Sequence, residues 1–434
     1  MITWNSLDPA SQAKALARPA LADNQKLTET VRNIVNDVRQ RGDSAILSLT
    51  QQFDGAALQQ LRLNPSTIKA AASELDAATK QAIHTAYDNI TRFHAAQKPQ
   101  SISIETMAGV RCEQHTVALS KVGLYIPGGT APLPSTVLML GVPAQVAGCE
   151  QAILCTPPNS NGQIAAEIRY AASLCGITDI FLCGGAQAIA GMAFGTESIP
   201  KVDKIYGPGN SFVTEAKQQV STLSQGAAID MPAGPSEVLV LADEQANPVF
   251  VAADLLSQAE HGKDSQAILV SNSESLITQV KFEVEKQLKD LSRNEIATAA
   301  MQHSRYILTQ DFEQAILVSN QYAPEHLIIQ AQQARQWLPK IQHAGSIFVG
   351  EWSPESAGDY ASGTNHVLPT YGYSRMYSSL GLLDFMRRFT VQELSQSGFR
   401  ALAPTLLSLS DSEGLDAHGK AVSLRLQAIE KEGL

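Results

Sequence analysis

The sequence has no run of basic residues, no long apolar segment and no secretion signal. Its 434 residues carry a net charge of −10, and an acidic chain without Lys/Arg-rich runs argues against a nucleic-acid partner. The most apolar stretches, residues 135–148 and 180–195, are short and interrupted by Gly, Pro or Gln, so neither is expected to span a bilayer. The N-terminus lacks a basic segment followed by an apolar core. We predict a cytoplasmic protein without a membrane-spanning segment.

Cysteine is also scarce, and its pattern excludes the usual cysteine-based architectures. The chain has five cysteines, an odd number, with loose spacing and no C-x-x-C pair. This pattern predicts reduced thiols in the core rather than disulfides or a thiolate metal site. The five residues are Cys112, Cys149, Cys155, Cys175 and Cys183.

Short apolar runs alternate with helix-length segments from about residue 117 onward. This alternation is typical of βαβ units and predicts an α/β fold with parallel sheets. Before it, residues 28–53 predict two helices separated at Gly42–Asp43. An amphipathic helix follows, and we assign its His84 and His94 to a solvated face. After about Gly381 the chain is predicted to be helical and polar.

Glycines follow several of the predicted strands in the middle third of the chain. In open α/β sheets ligands bind at the carboxyl ends of strands, where glycine lets the backbone approach closely. None of these turns is the G-x-G-x-x-G dinucleotide motif, and each is equally explained as a tight strand-to-helix turn. As a set they indicate a cofactor cleft without saying which cofactor. They are Gly128–Gly129, Gly184–Gly185 and Gly207–Gly209.

Three polar clusters contain residue types that bind borderline metals such as zinc, namely imidazole, carboxylate and amide. Each also has an ordinary explanation, as a helix end, a surface loop or a solvated helix start. The first cluster shares one face of a helix that we expect to end at Gly262. The clusters are Gln258 with His261, Asp359 with His366, and Glu413 with His418.

Glu325 and His326 are adjacent in "QYAPEHLIIQ". Neighbouring side chains point to opposite faces of a regular strand and diverge by about 100° on a helix. Local spacing therefore leaves open whether they share one site.

Seven strings in the same order resemble the histidinol dehydrogenase family along essentially the whole chain. They are "VGLYIPGG", "GGAQAIA", "DKIYGPGN", "IDMPAGPSEVLV", "DLLSQAEHG", "YAPEHLII" and "SPESAGDYASGTNHVLPT". The resemblance implies an NAD-dependent, zinc-containing dehydrogenase. Such an enzyme oxidises L-histidinol through L-histidinaldehyde to L-histidine, the last two steps of histidine biosynthesis.

The resemblance also assigns residues. It implies one Zn²⁺ per subunit and NAD contacts from Tyr125, Gln187 and Asn210. From the chemistry of the two oxidations we assign His326 as the base and Glu325 as the group that activates water, which makes them the catalytic pair. The implied zinc ligands are Gln258, His261, Asp359 and His418. The implied substrate contacts are Ser236, Gln258, His261, His326, Asp359, Glu413 and His418. Both catalytic side chains must then enter one pocket, so we expect Pro324 to introduce them where the backbone is irregular.

For the fold, the resemblance implies two incomplete Rossmann-like domains in an intertwined homodimer. We predict an N-terminal helical arm (1–24), a metal-binding and catalytic domain (25–124 with 237–380) and an NAD domain (125–236). A C-terminal helical extension (381–434) is expected to complete the partner's active site.

Three alternatives stay open at this point. They are a relative that acts on another amino-alcohol or small diol, a zinc hydrolase with Glu325 as general base, and a non-catalytic metal- or ligand-binding protein.

Overall fold

The computed structural model describes residues 1–19, 24–128, 132–231 and 234–431. The strands are β1 (Ile2–Thr3), β2 (Ile102–Met107), β3 (Val110–Ala118), β4 (Lys121–Tyr125), β5 (Gln151–Thr156), β6 (Asp179–Leu182), β7 (Lys204–Tyr206), β8 (Ala228–Ile229), β9 (Glu237–Ala242), β10 (Gln266–Ser271), β11 (Arg305–Leu308), β12 (His326–Gln330), β13 (Ser346–Val349) and β14 (Met386–Leu394).

The α-helices begin and end as follows. They are α1 (Pro9–Ala15), α2 (Asn24–Arg41), α3 (Asp43–Asp54), α4 (Pro65–Glu74), α5 (Ala77–Ala95), α6 (Pro134–Ala147), α7 (Ala166–Leu174), α8 (Gly185–Phe194), α9 (Ser211–Ser221), α10 (Pro248–Ala259), α11 (Glu274–Gln287), α12 (Asn294–Met301), α13 (Phe312–Tyr322), α14 (Glu355–Tyr360), α15 (Gln396–Glu413) and α16 (Asp416–Lys431).

The chain divides into two units, Met1–Gln97 with Leu119–Phe385, and Lys98–Ala118 with Met386–Leu434. The first unit contains a six-stranded sheet in the order β1-β11-β10-β9-β12-β13 and a five-stranded sheet in the order β6-β5-β4-β7-β8. Every strand pairing in both sheets is parallel. The α/β class with parallel sheets is thereby confirmed.

Both parallel sheets are buried on their two faces. Along β9, Leu239 and Leu241 join one hydrophobic cluster, while Val238 and Val240 join the cluster on the opposite face. Because side chains alternate across a strand, a sheet covered on both faces needs continuous apolar runs such as "EVLVLA". These runs are the signal from which the sequence predicts the parallel sheets.

The break predicted at Gly42–Asp43 is confirmed, because α2 ends at Arg41 and α3 begins at Asp43. Gly42 lies between them with a φ of 55°, a conformation that glycine adopts without steric cost. Helices α2 to α5 pack on α6 to α9, which flank the five-stranded sheet. The domain boundaries as a whole stay a prediction.

The solvated face predicted for His94 is wrong. Its side chain is completely buried on α5, four residues after the buried Ile90, and this spacing places both on one helix face. The ring Nδ1 lies 2.8 Å from the Ile90 carbonyl oxygen. His84 is half-buried, and its Nε2 lies 2.7 Å from the Tyr170 hydroxyl.

The second unit contains an antiparallel sheet in the order β14-β3-β2, with helices α15 and α16. The predicted helical character of residues 386–394 is therefore wrong, because β14 pairs with β3 along its whole length, from Met386 opposite Ala118 to Leu394 opposite Val110. The partner strand lies about 270 residues earlier in the chain, and strand formation depends on such cross-strand packing more than on local propensity.

All five cysteines are free, and Cys155, Cys175 and Cys183 are buried. Within the described ranges, no helix combines the length and apolar character needed to cross a membrane.

Candidate active site

Glu325 and His326 enter one pocket because the strand that carries His326 begins only after an irregular turn. Helix α13 ends at Tyr322, and Ala323 then adopts a left-handed conformation with a φ of 55°. Pro324 follows, and β12 starts at His326. Glu325 thus precedes the regular strand, where the alternation of side chains does not apply. Both side chains are buried, and Glu325 Oε2 lies 3.6 Å from His326 Nδ1.

The main chain of Glu237, at the start of β9, holds both members of this pair. Its N–H donates to Glu325 Oε2 at 2.9 Å, and its carbonyl oxygen lies 3.2 Å from His326 Nδ1. This contact assigns the proton of a neutral His326 to Nδ1. Nε2 then carries the lone pair, and it lies buried without a hydrogen-bond partner in the described structure, 3.7 Å from Asp359 Oδ1.

Three further groups surround this imidazole and form a possible metal site. His261, Glu355 and Asp359 each offer one ligand atom, and these atoms lie within 4.8 Å of one another. Glu355 and Asp359 stand four residues apart on α14 and so share one helix face. Glu355 is a site residue that our sequence reasoning missed, although its i,i+4 spacing from Asp359 was a signal that could have found it.

Gln258 belongs to the same cluster. With its amide nitrogen turned toward Glu355, Gln258 donates to both carboxylate oxygens of that residue, and its amide oxygen accepts from the Glu237 N–H at 3.1 Å. Helix α10 ends at Ala259 with Glu260 as its C-cap, so the helix end predicted at Gly262 is wrong. His261 still lies close to Gln258, because its N–H donates to the Gln258 carbonyl oxygen at 3.3 Å.

The cluster contains more buried acids than bases, and this imbalance shifts the pKa values. Burial raises the pKa of Glu325 and that of Glu355 to about 8 each. Burial alone would lower the pKa of His326, but the negative charges of Glu355, Glu325 and Asp359 outweigh it and hold that pKa well above its ordinary value. A site of this kind favours a bound cation, which would compensate the acids.

This cluster lies at the amino ends of β9 and β12, since Glu237 and His326 are the first residues of those strands. A second feature, a cleft of about 920 Å³, lies at the carboxyl ends of β4 and β7. Tyr125, Gln187 and Asn210 all line it. The cleft lining also includes Gly128 and Gly185, whereas Gly129 falls outside the described residues.

Local structure positions each of the three polar side chains in the cleft. Tyr125 is the last residue of β4, and its hydroxyl accepts from the Gly185 N–H at 3.0 Å. Asn210 caps α9 by accepting from the N–H groups of Phe212 and Val213, which leaves its amide N–H groups for a ligand. Gln187 is buried in the first turn of α8.

Gly207 follows β7 in a conformation that leaves no room for a side chain. Its φ is +122°, and a Cβ there would lie 2.1 Å from the Tyr125 carbonyl oxygen. We expect Gly207→Ala to destabilise the protein by about 2–4 kcal/mol through strain and collision. Gly148→Ala is the matched control, because Gly148 also has a positive φ but has nothing within 4 Å of its would-be Cβ. Thermal unfolding of the two variants tests this, and equal melting temperatures would contradict it.

The remaining predicted site residues are Ser236, His366, Glu413 and His418. Ser236 directly precedes Glu237 and is half-buried, and His366 Nδ1 lies 2.9 Å from the Asp359 carbonyl oxygen. Glu413 and His418 belong to the second unit, at the end of α15 and within α16, and both are exposed.

These features define an α/β enzyme. A buried acid–base pair lies beside groups that can bind a metal, and a ligand-sized cleft lies at the ends of parallel strands.

Comparison with known proteins identifies the family. The family model for histidinol dehydrogenase matches residues 17–426. The histidinol dehydrogenase of Colwellia psychrerythraea is 58% identical over 98% of both chains, and that of Vibrio parahaemolyticus is 56% identical over 99% of this chain and 98% of the relative. The crystal structure of histidinol dehydrogenase from Elizabethkingia anophelis superposes with a TM-score of 0.95 at 46% identity, covering 99% of this chain and 98% of that one. The chain belongs to the histidinol dehydrogenase family, whose members are oxidoreductases.

Proposed function

We propose that this protein oxidises L-histidinol through L-histidinaldehyde to L-histidine, using NAD and one Zn²⁺ per subunit, as the last two steps of histidine biosynthesis. The observation that carries the proposal is the burial of Glu325 and His326 in one pocket, with His326 Nε2 directed at Asp359. An oxidation that ends in a carboxylate needs a base for hydroxyl protons and a group that activates water. We assign the base to His326 and the activation of water to Glu325.

The donor set fits zinc. Imidazole nitrogen and carboxylate oxygen from His261 and Asp359 are ordinary zinc ligands. The Gln258 amide would turn its oxygen, in place of its nitrogen, toward the Glu355 side to bind this borderline ion. We infer that His418 supplies the remaining ligand. The metal, when bound, would anchor the imidazole and amine of the substrate, and such orientation can contribute several kcal/mol. A bound cation would offset the negative charges of Glu355, Glu325 and Asp359 that favour protonated His326, so the imidazole would be available as a base.

His326 is the proposed base for both hydride-transfer steps. In the first, Nε2 takes the hydroxyl proton of the alcohol while the carbon-bound hydrogen leaves as hydride, which yields the aldehyde. In the second, Nε2 takes a proton from the hydrated aldehyde as its hydride leaves, which yields the carboxylic acid. The Nδ1 contact with the Glu237 carbonyl oxygen keeps Nε2 directed at the reacting atoms.

Glu325 is the proposed activator of the water that hydrates the aldehyde. As a carboxylate it takes a proton from that water while the oxygen adds to the aldehyde carbon, and protonated His326 returns its proton to the carbonyl oxygen. The resulting hydrated aldehyde has a hydride to give, and His326 is again free to act as a base. The raised pKa of Glu325, about 8, suits an acid–base role near neutral pH. Its Oε2 is already held by the Glu237 N–H at 2.9 Å, which leaves Oε1 for the water.

NAD, which accepts the hydride, is assigned to the cleft lined by Tyr125, Gln187 and Asn210. The cleft lies at the carboxyl ends of parallel strands, where nucleotides bind in open α/β sheets. Its lining also contains several prolines and the apolar Ile34, Ile164 and Phe212, which suit an aromatic base.

We also propose a cytoplasmic homodimer in which Glu413 and His418 complete the partner's active site by contacting the substrate, with Ser236 as a further substrate contact. The side chains of Glu413 and His418 are exposed on the second unit. A residue that contacts a partner's active site must be accessible in this way. The sheet of that unit exposes large apolar side chains, and such patches mark interaction surfaces. These residues are Ile102, Ile104, Phe389, Val391 and Leu394.

The reaction is tested by its stoichiometry. Metal-replete protein given limiting L-histidinol and excess NAD should form about two NADH per histidinol, because two hydrides leave each substrate. Treatment with a chelator should abolish this turnover, and added zinc should restore it. A zinc hydrolase would form no NADH, and a binding protein would bind zinc without turnover. NADH formation that chelation does not reduce would contradict the proposed metal site.

A further inference from the structure

Arg18, near the N-terminus, connects with the catalytic pair through a buried ion pair. Its Nε donates to Glu237 Oε2 at 2.6 Å, and one terminal nitrogen donates to Glu237 Oε1 at 2.9 Å. The Glu237 side chain is 2% exposed and that of Arg18 is 16% exposed. The Tyr322 hydroxyl also donates to Glu237 Oε2, at 2.9 Å. Two parallel N–H donors on one carboxylate fix both partners more tightly than a single contact.

The same guanidinium also holds the turn that precedes the catalytic pair. It donates to the carbonyl oxygens of Tyr322 at 2.9 Å and of Ala323 at 3.3 Å, and it lies 4.1 Å from the centre of the Tyr322 ring. Ala323 is the residue with a left-handed backbone, a conformation that persists in a non-glycine residue only when its surroundings enforce it.

Arg18 thus joins the two backbone segments between which the catalytic pair is held. The first segment contains Glu237, whose main chain contacts Glu325, His326 and Gln258. The second segment is the Tyr322–Ala323 turn, which sets the direction of the chain into Glu325 and His326. We infer that Arg18 is a positioning residue for the oxidation: through Glu237 and the turn it sets the orientation of both catalytic side chains, although it does not contact substrate.

This inference rests on the proposed function, and its test separates the two. Arg18→Ala should lower kcat for histidinol oxidation about 10- to 100-fold, the usual effect of losing a group that orients a reacting residue, while KM for NAD stays unchanged. Added guanidinium ion should restore part of the lost kcat in this variant. A purely structural role for Arg18 would instead lower the melting temperature of the variant without lowering kcat per folded active site.

Two controls sharpen the test. Arg375→Ala removes a guanidinium that donates to the Gln321 carbonyl oxygen, close to the same turn, and should leave kcat and its response to guanidinium unchanged. Arg18→Lys keeps the charge but lacks the planar pair of donors, so it should recover little of the lost kcat.

A second variant covers the case in which Arg18→Ala leaves Glu237 unpaired and the chain fails to fold. Arg18→Met combined with Glu237→Gln removes both charges together, and it too should show the reduced kcat. Wild-type kcat in either folded variant would overturn the inference. Absence of histidinol-dependent NADH formation in the unmodified protein would instead overturn the proposed function.

Discussion

Replacing His326 by asparagine is expected to lower kcat for both half-reactions by about 10²–10⁴-fold, because a positioned general base contributes about that much. Asparagine can keep the contact with the Glu237 carbonyl oxygen, which His326 Nδ1 makes at 3.2 Å, but it has no basic nitrogen to put in the place of Nε2. The loss therefore reports proton transfer rather than collapse of the pocket. Histidinol and histidinaldehyde are supplied as separate substrates, and NADH formation is followed for each.

In the companion variant, Glu325→Gln, the rates of alcohol oxidation and of aldehyde oxidation should fall by different factors. The amide retains an oxygen that can accept from the Glu237 N–H, as Glu325 Oε2 does at 2.9 Å, but it cannot take a proton from water. Aldehyde oxidation should therefore fall much more than alcohol oxidation. His343→Asn, outside the cluster, serves as the control and should leave both rates unchanged. Equal losses of both rates in Glu325→Gln would refute the division of labour between the two residues.

The second large effect concerns the active site that we propose the two subunits share. His326→Asn and His418→Asn should each be nearly inactive alone, yet a mixture of the two, unfolded and refolded together, should regain about one quarter of the wild-type activity. About half of the dimers are then mixed, and each mixed dimer contains one site with both histidines intact. Activity per mole of protomer is measured before and after mixing.

The control for this experiment pairs variants from the same side of the site. Mixing His326→Asn with Glu325→Gln protomers should restore nothing, because both changes fall in one protomer's pocket and no mixed dimer has a complete site. If the His326 and His418 variants also fail to complement each other after refolding, while refolded wild type recovers its activity, His418 acts within its own subunit and the shared site is wrong.

Several elements of the fold followed from local signals. The apolar run of β9 and the Gly42–Asp43 helix break both appear in the structure where the sequence indicated them. His94 shows the limit of this reasoning, because its burial depends on what packs against α5. For β14, pairing with β3 across the chain decides the outcome. No pattern within residues 386–394 contains that information.

For the candidate site, the residue types were readable but their arrangement was not. Gln258, His261 and Asp359 were candidates by type, and family resemblance joined them into one site. Glu355 was missed although it lies beside them, with its carboxylate accepting from the Gln258 amide. The Glu237 main chain, which holds Glu325 and His326, is invisible to any motif, because every residue except proline carries the same N–H and carbonyl groups.

The sequence by itself determined the α/β class, the family and the chemical types available to the site, because periodicity and motif strings are properties of the chain read locally. The tertiary structure alone decided that Glu325 and His326 share a pocket. That outcome depends on the left-handed turn at Ala323, and on Gly345, where a Cβ would lie 2.6 Å from the Glu325 carbonyl oxygen. It depends also on Glu237 and Arg18, which are distant in sequence from the pair, and contacts between distant segments exist only once the chain has folded.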